Sequence, residues 1–377
     1  MSSLSIESVK TSIRPYYFDH GFIQAYYKEA IKQYLINIGG NYCENSMSRF
    51  PNILQFLGKI KKSYRLRQAV GDSRWLYNLI DGFARWMEGP IVTPSSFFKM
   101  AVGQYVFVAA EGIEGRVCID VHDSGEIRSP ELLQWCDIYF KTNFWTNSHY
   151  LPKVLPMVNG NPIAIGNLAF LRSLQNVEKE YDICFIVRIY TEVYDEDQIE
   201  HNIRLLEAIS RTNCRKYLFA YLTGGRTKEI SLRLDRQKIA WSTAPMPLHK
   251  LWQISAGSRL AVIRLGIYYC IPWRMTDMLA MGACPVLESP PFTIWPKPLL
   301  ENTNFLTFGL DIGPNKAVAG EGGYTEIPSK VLTWLSDKSL IDGIRKENIE
   351  YFDNHIAPEK LGKYIIETIE NKMQTQG

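Results

Sequence analysis

At 377 residues, with 46% apolar and 21% charged side chains, the chain is too long for one hydrophobic core, suits two, and is too apolar to be disordered. A net charge of only +3 argues against a nucleic-acid protein driven by a basic face, and seven cysteines without CxxC spacing exclude a disulfide framework or a cysteine zinc site. No apolar run approaches the ~18 residues that cross a bilayer, and MSSLSIESVKTSIRPYYFDHG lacks the layout of a secretion signal, so we expect a cytoplasmic protein.

In chain order, FDHG (18–21) places Asp19 and His20 before a glycine. The aromatic-rich text from 20 to 100 gives no strand order. Within it, GKIKKSYRLRQ (58–68) interleaves cations with Ile60, Tyr64 and Leu66. The run reads as a solvated helix face or as a peripheral contact with an anionic membrane. GRVCIDVHDSGE (115–126) is a strand entering a polar loop. SPELLQWC (129–136) is a short helix capped by Ser129 with Pro130 in its first position, and DIYFKTNF (137–144) is the next strand. YLPKVLPMVNGNP (150–162) reads as the linker.

The second half alternates more clearly. YDICFIVRIY (181–190) is a continuous apolar strand, followed by a helix with acids in its first turn and Ile199, Ile203, Leu206 and Ile209 at helical spacing. KYLFAYLTG (216–224), RLAVIRLG (259–266), CPVLES and TNFLTFG (303–309) read as strands; PLHKLWQISAGS (247–258) and PWRMTDMLAMG read as helices. Pro272 suits the first position of its helix, and Gly282 suits a left-handed C-cap. Strands alternating with helices predict an α/β fold with two Rossmann-like domains facing a central cleft. The expected units are 1–155, 156–357 and a last helix, 358–377.

In such sheets ligands bind outside the carboxyl ends of the strands. Arg274 falls in the first turn of a helix that leaves such an end, where a guanidinium can hold diphosphate oxygens on two arms. Asp277, one turn on, can accept from a sugar or ribose hydroxyl; a surface salt bridge between the two is the alternative. Arg188 ends the first strand of this half, and Gly266 precedes the loop before Arg274.

The order SRLAVIRLG…PWRMTDMLAMGACPVLES resembles the nucleotide-sugar-binding half of GT-B glycosyltransferases, the exostosin-like branch above all, over residues 180–310. The resemblance implies a transferase that moves a sugar from a nucleotide-sugar donor to a glycan or lipid-linked acceptor. The donor would be held by the second domain, and the last helix would return to the first. It also implies a donor-phosphate role for Arg274 and Arg188 and a ribose or sugar contact for Asp277. The E-x(7)-E spacing of many retaining members is absent, because Tyr269 stands eight residues before Asp277.

Glycosyl transfer needs positive charge at the leaving diphosphate and, for inversion, a base for the acceptor hydroxyl. Arginines, lysines and helix ends can supply the charge without a metal or other cofactor. DED at 195–197 reads as acids complementing a helix dipole, not as a metal motif. For the base, Asp120 and His122 alternate onto one face of a strand end, with Asp123 beside them, and Asp19 with His20 is the rival. A cap or turn role is the structural alternative for both clusters. Lys141, closing DIYFK, is a candidate donor-phosphate or acceptor contact, or a solvated lysine. Two other readings stand beside this one: a non-catalytic nucleotide-sugar or glycan-binding protein, and a nicotinamide-dependent oxidoreductase. The last would need a G-x-G-x-x-G turn that the chain lacks.

Overall fold

A computed structural model describes residues 12–17, 24–42, 102–108, 114–128, 130–266, 268–314 and 316–375. Asp19, His20 and the basic run at 58–68 lie outside the described residues.

The first sheet holds six strands: β1 (Ser12–Tyr17), β2 (Asn41–Tyr42), β3 (Val102–Val108), β4 (Glu114–Asp120), β5 (Ile138–Lys141) and β6 (Val154–Pro156), in the order β2-β1-β3-β4-β5-β6. β4, β5 and β6 run parallel, whereas β3 is antiparallel to both β1 and β4. The first half is therefore a mixed sheet with a parallel edge, not the wholly parallel one its strand-helix-strand text suggests. Helix α1 (Ala25–Asn37) and the short α2 (Pro130–Trp135) belong to this half. β6 falls inside the stretch read as linker, so the crossing between halves begins after Pro156.

The second sheet is parallel throughout. Its strands are β7 (Tyr181–Tyr190), β8 (Lys216–Thr223), β9 (Ala240–Ser242), β10 (Ser258–Ile263), β11 (Pro285–Leu287) and β12 (Leu306–Thr307). The order β12-β11-β10-β7-β8-β9 reverses direction between β10 and β7, which makes that gap the topological switch point. The intervening helices are α3 (Leu168–Ser173), before β7, then α4 (Glu196–Ser210), α5 (Thr227–Arg236), α6 (Leu248–Ala256) and α7 (Arg274–Ala280). β7 is hydrophobic on both faces because both are covered; Ile183, Cys184, Phe185, Ile186 and Val187 are all buried. In α4, Asp195 caps the first turn by accepting from Gln198 N, and Ile199, Ile203, Leu206 and Ile209 turn into the core as their spacing predicts.

Helix α7 starts two residues after Pro272, with Trp273 as N-cap. Its end matches the expectation. Gly282 has φ +58, and Gly282 N and Ala283 N bond back to Leu279 O and Met278 O, the paired bonds of a Schellman cap.

The chain closes with α8 (Glu321–Thr325), α9 (Ile327–Ser336), α10 (Lys338–Tyr351), a π-helical turn at Phe352–Ile356, and α11 (Pro358–Gln374). α11 lies against α1 and β5 of the first half: Tyr364 Oη donates to Pro156 O at 2.9 Å, and its ring meets Phe140 edge-on at 6.0 Å. At Gly362 a Cβ would stand 2.0 Å from the Ala30 carbonyl oxygen, so the two backbones touch where only glycine fits.

Candidate functional site

The carboxyl ends of the parallel strands of the two halves meet. After β5, Phe144 O accepts from Ile294 N at 3.0 Å, and after β4, Arg128 Nη2 donates to Tyr268 Oη at 3.1 Å. After β6, Asn159 Nδ2 donates to Ile271 O at 3.0 Å. The crevice between the sheets is thus bounded by loops that follow β4, β5 and β6 on one side and β10 and β11 on the other.

On the second-half side, β10 pairs with β7 only as far as Val262 opposite Phe185, while β7 runs on to Tyr190 beside β8. Where the two strands part, Arg274 Nη1 donates to the carbonyl of Ile186 at 3.0 Å. Its Nε is buried with no hydrogen-bond partner among the described residues. Burial lowers the guanidinium's pKa from its ordinary value, yet it remains a cation far above neutral pH. Arg274 is therefore a charge anchored by one arm at the switch point, with donors left over.

Asp277 does not share that crevice. It is fully buried, and Asn161 Nδ2 reaches its Oδ1 at 2.9 Å and its Oδ2 at 2.8 Å, while Trp252 Nε1 donates to Oδ2 at 2.8 Å. Burial pushes its carboxyl up to about 7, against the hydrogen bonds from Trp252 and Asn161. The pair three residues apart forms no salt bridge. One member faces the switch point, and the other ties the interdomain crossing to α6 and α7.

Arg188 is exposed, with its guanidinium 4.4 Å from the Tyr190 ring and 5.3 Å from that of Tyr221, its register partner on β8. Two aromatic faces hold the cation without neutralising it. Gly266 donates its N–H to Cys270 O at 2.9 Å, closing a tight loop in which Tyr269 has φ +56. That N–H is consumed within the loop.

The first-half residues are differently arranged from the expected carboxylate–imidazole pair. Asp120 sits opposite Lys141 in the β4–β5 register, and its Oδ2 accepts from Lys141 Nζ at 2.9 Å and Tyr139 Oη at 2.7 Å. Its Oδ1 accepts from His122 N at 2.8 Å, so the carboxylate binds that residue's backbone and not its ring. Lys141 is wholly buried in this ion pair, which removes it as a solvated or phosphate-contacting lysine. His122 Nδ1 accepts from Ser124 N at 3.0 Å, which leaves that nitrogen no lone pair for a proton, and burial lowers the ring's pKa. Asp123, at the tip of the loop, is exposed, and the crowding of protein around its carboxyl raises its pKa.

Two residues that the sequence reading passed over complete the strand ends. Arg264, the residue after β10, donates from Nε to Glu288 Oε2 at 3.0 Å and from Nη1 to Asn202 Oδ1 at 2.9 Å, with the Tyr194 ring 5.9 Å from its guanidinium. Glu288, the residue after β11, is fully buried, and its Oε2 also meets His201 Nε2 at 3.1 Å. Tyr324 Oη lies 2.6 Å from His201 Nδ1 and accepts from Ala319 N; in the neutral imidazole Nε2–H donates to the Glu288 carboxylate, which leaves Nδ1 to accept from the phenol. Burial alone would raise the Glu288 carboxyl; Arg264 and His201 outweigh it and hold it below the usual range. A charge at the end of each of two neighbouring parallel strands, AVIRLG and PVLES, is the signal that could have found the pair.

Among the described residues no group of three or more His, Cys, Asp or Glu side chains converges as metal ligands would, and no helix is long and apolar enough to cross a membrane. No protein-family model matches the chain, and no curated protein does. Solved structures do resemble it. A glycosyltransferase from Rickettsia africae is 13% identical with a TM-score of 0.45, over 97% of this chain and 99% of that one. HepE of Anabaena, in complex with UDP and glucose, is 10% identical with a TM-score of 0.46, over 93% and 96%. The C-terminal domain of the group 1 glycosyl transferase LpcC from Francisella tularensis is 11% identical with a TM-score of 0.34, over 49% and 91%. The chain's own strand order and its returning last helix describe an α/β fold of the GT-B type, two sheet-centred halves facing a cleft.

Proposed function

We propose that the protein is a glycosyltransferase that takes a sugar from a nucleotide-sugar donor and passes it to a hydroxyl of a glycan or lipid-linked acceptor. One observation carries the reading: Arg274 stands where β7 and β10 part, fixed to Ile186 O through Nη1, with Nε buried and uncommitted. A buried guanidinium donor without a partner calls for an anion, and the switch point is where α/β sheets hold nucleotides. The resemblance of residues 180–310 to GT-B donor domains points the same way.

In this reading the acceptor oxygen attacks the anomeric carbon, the bond to the diphosphate breaks, and the negative charge gathering on the leaving oxygens meets Arg274, with Arg188 as the second cation. The charge is met by guanidinium groups, without metal or cofactor. Asp120 is locked by Lys141 and Tyr139, and His122 by Ser124 N. Of the candidates among the described residues, Asp123 is the one left to accept the acceptor's proton, and its raised pKa makes it a better base than a fully solvated aspartate.

The test is a panel of nucleotide sugars scored for nucleotide release with acceptor extract, on the parent and on Arg274→Ala. The expected result is turnover with one donor, reduced about 100-fold or more in kcat/KM by the substitution, with circular dichroism unchanged. Equal turnover by both proteins refutes the reading. Binding of a donor with no release by the parent makes the chain a binding protein on this scaffold.

A further inference from the structure

We propose that Arg264 is a second anion-binding residue of the donor site, and that Glu288, His201 and Tyr324 form a positioning relay that aims it. This rests on the reading of the switch point as a nucleotide-sugar site and names a part of its recognition that no motif supplied.

Arg264 follows β10 directly, at the strand end that forms one wall of the switch point. Its fixed bonds use Nε and Nη1, to Glu288 and Asn202. Among the described residues Nη2 has no bonded partner, and the side chain keeps 14% of its surface open. Nη2 is thus the arm left for a ligand, while the others lock the plane of the guanidinium. Tyr194, on the loop that leaves β7, lies over the same group.

A purely structural staple between β10, β11 and α4 is the simpler account. Two features go beyond it. A buried ion pair adds little net stability over apolar packing, so a relay four side chains deep is poorly explained as a clamp. The relay also converges on one atom: Ala319 N–H donates to Tyr324 Oη and Tyr324 O–H to His201 Nδ1, while His201 Nε2–H and Arg264 Nε–H both donate to Glu288 Oε2. Each link fixes the next, and of the four side chains Arg264 keeps the largest open fraction. An arginine held by a buried carboxylate on one edge keeps a donor fork in place for phosphate oxygens on the other.

Calorimetric titration with inorganic pyrophosphate and with a panel of nucleoside diphosphates, at fixed ionic strength, tests this. Arg264→Lys keeps the ion pair and the fold, but an ammonium engaged by Glu288 has no second arm. Its affinity should fall about tenfold or more. The charge-neutral double variant Arg264→Gln/Glu288→Gln avoids stranding a buried charge and should lose pyrophosphate binding to a similar degree. Tyr324→Phe, with the ring and the packing kept, should weaken binding by a smaller factor, of order threefold, measured below its own melting transition. A clamp role alone would leave all three affinities at the parent value, and that result overturns the proposal. If Arg274→Ala loses binding while these variants keep it, the donor-site reading stands and this inference falls. If the parent binds none of the panel, both fall.

Discussion

Asp277 has no access to water, and every contact to its carboxylate is a donor: Asn161 Nδ2 on both oxygens and Trp252 Nε1 on one. An asparagine there would set its own NH2 against those donors. Asp277→Asn should therefore cost about 1–3 kcal/mol in urea unfolding. The pH dependence has a definite sign. The folded pKa, about 7, lies above the ~3.9 of an unfolded aspartate, so between those values the native state binds more protons than the unfolded one. Stability from this group is full below about pH 4 and declines as pH rises to about 7, by up to about 1.4 kcal/mol per pH unit. The parent's advantage over Asp277→Asn should be widest near pH 4, narrow toward pH 7 and then level off. An advantage that grows from pH 4 to 7 would show that the carboxylate is held ionised from below. Arg274 was legible in the sequence because a proline, a helix start and two flanking strands fix its address. Asp277's role was hidden, since Asn161 and Trp252 lie 116 and 25 residues away. The Asp120–Lys141 pair was hidden for a related reason: only the β4–β5 register sets those two side by side.

Helix α11 returns to the first half on a contact that tolerates no side chain. Gly362→Ala would drive a methyl to 2.0 Å from Ala30 O, against the backbone of α1. We expect at least about 2 kcal/mol of destabilisation in chemical unfolding, together with faster hydrogen exchange in α1. An unchanged midpoint would mean that the two helices slide apart easily. The long second-half elements were legible because their periods are clean: continuous apolar text for β7, helical spacing for α4, and glycine termination for α7. Short or edge elements were not. β9 has three residues and β6 sits among prolines, so no period forms, whereas β12, two residues inside TNFLTFG, was read as a strand. β3 carries an almost wholly buried run, VGQYVFV, within text that offered no turn signals to bound it.

For the whole molecule, the two sheets face each other through strand ends that the crossing segment and α11 hold together. Tyr27, on α1, donates to Val158 O at 2.9 Å, and Asn161 N donates to Thr276 Oγ1 at 3.2 Å. The second half carries Arg274 where β7 and β10 part, and the first half carries the Asp123 loop after β4. The α/β alternation was legible; the antiparallel strands of the first sheet were not, because pairing direction leaves no mark on so short a stretch. The most direct measurement is a crystal of the parent soaked with the nucleoside diphosphate that binds it most tightly. The account predicts phosphate oxygens within about 2.7–3.2 Å of Arg274 Nε or Nη2, where β7 and β10 diverge. A diphosphate lodged elsewhere, for instance in the groove beside Lys297, Lys360 and Lys363, with Arg274 still bonded only to Ile186, would contradict it.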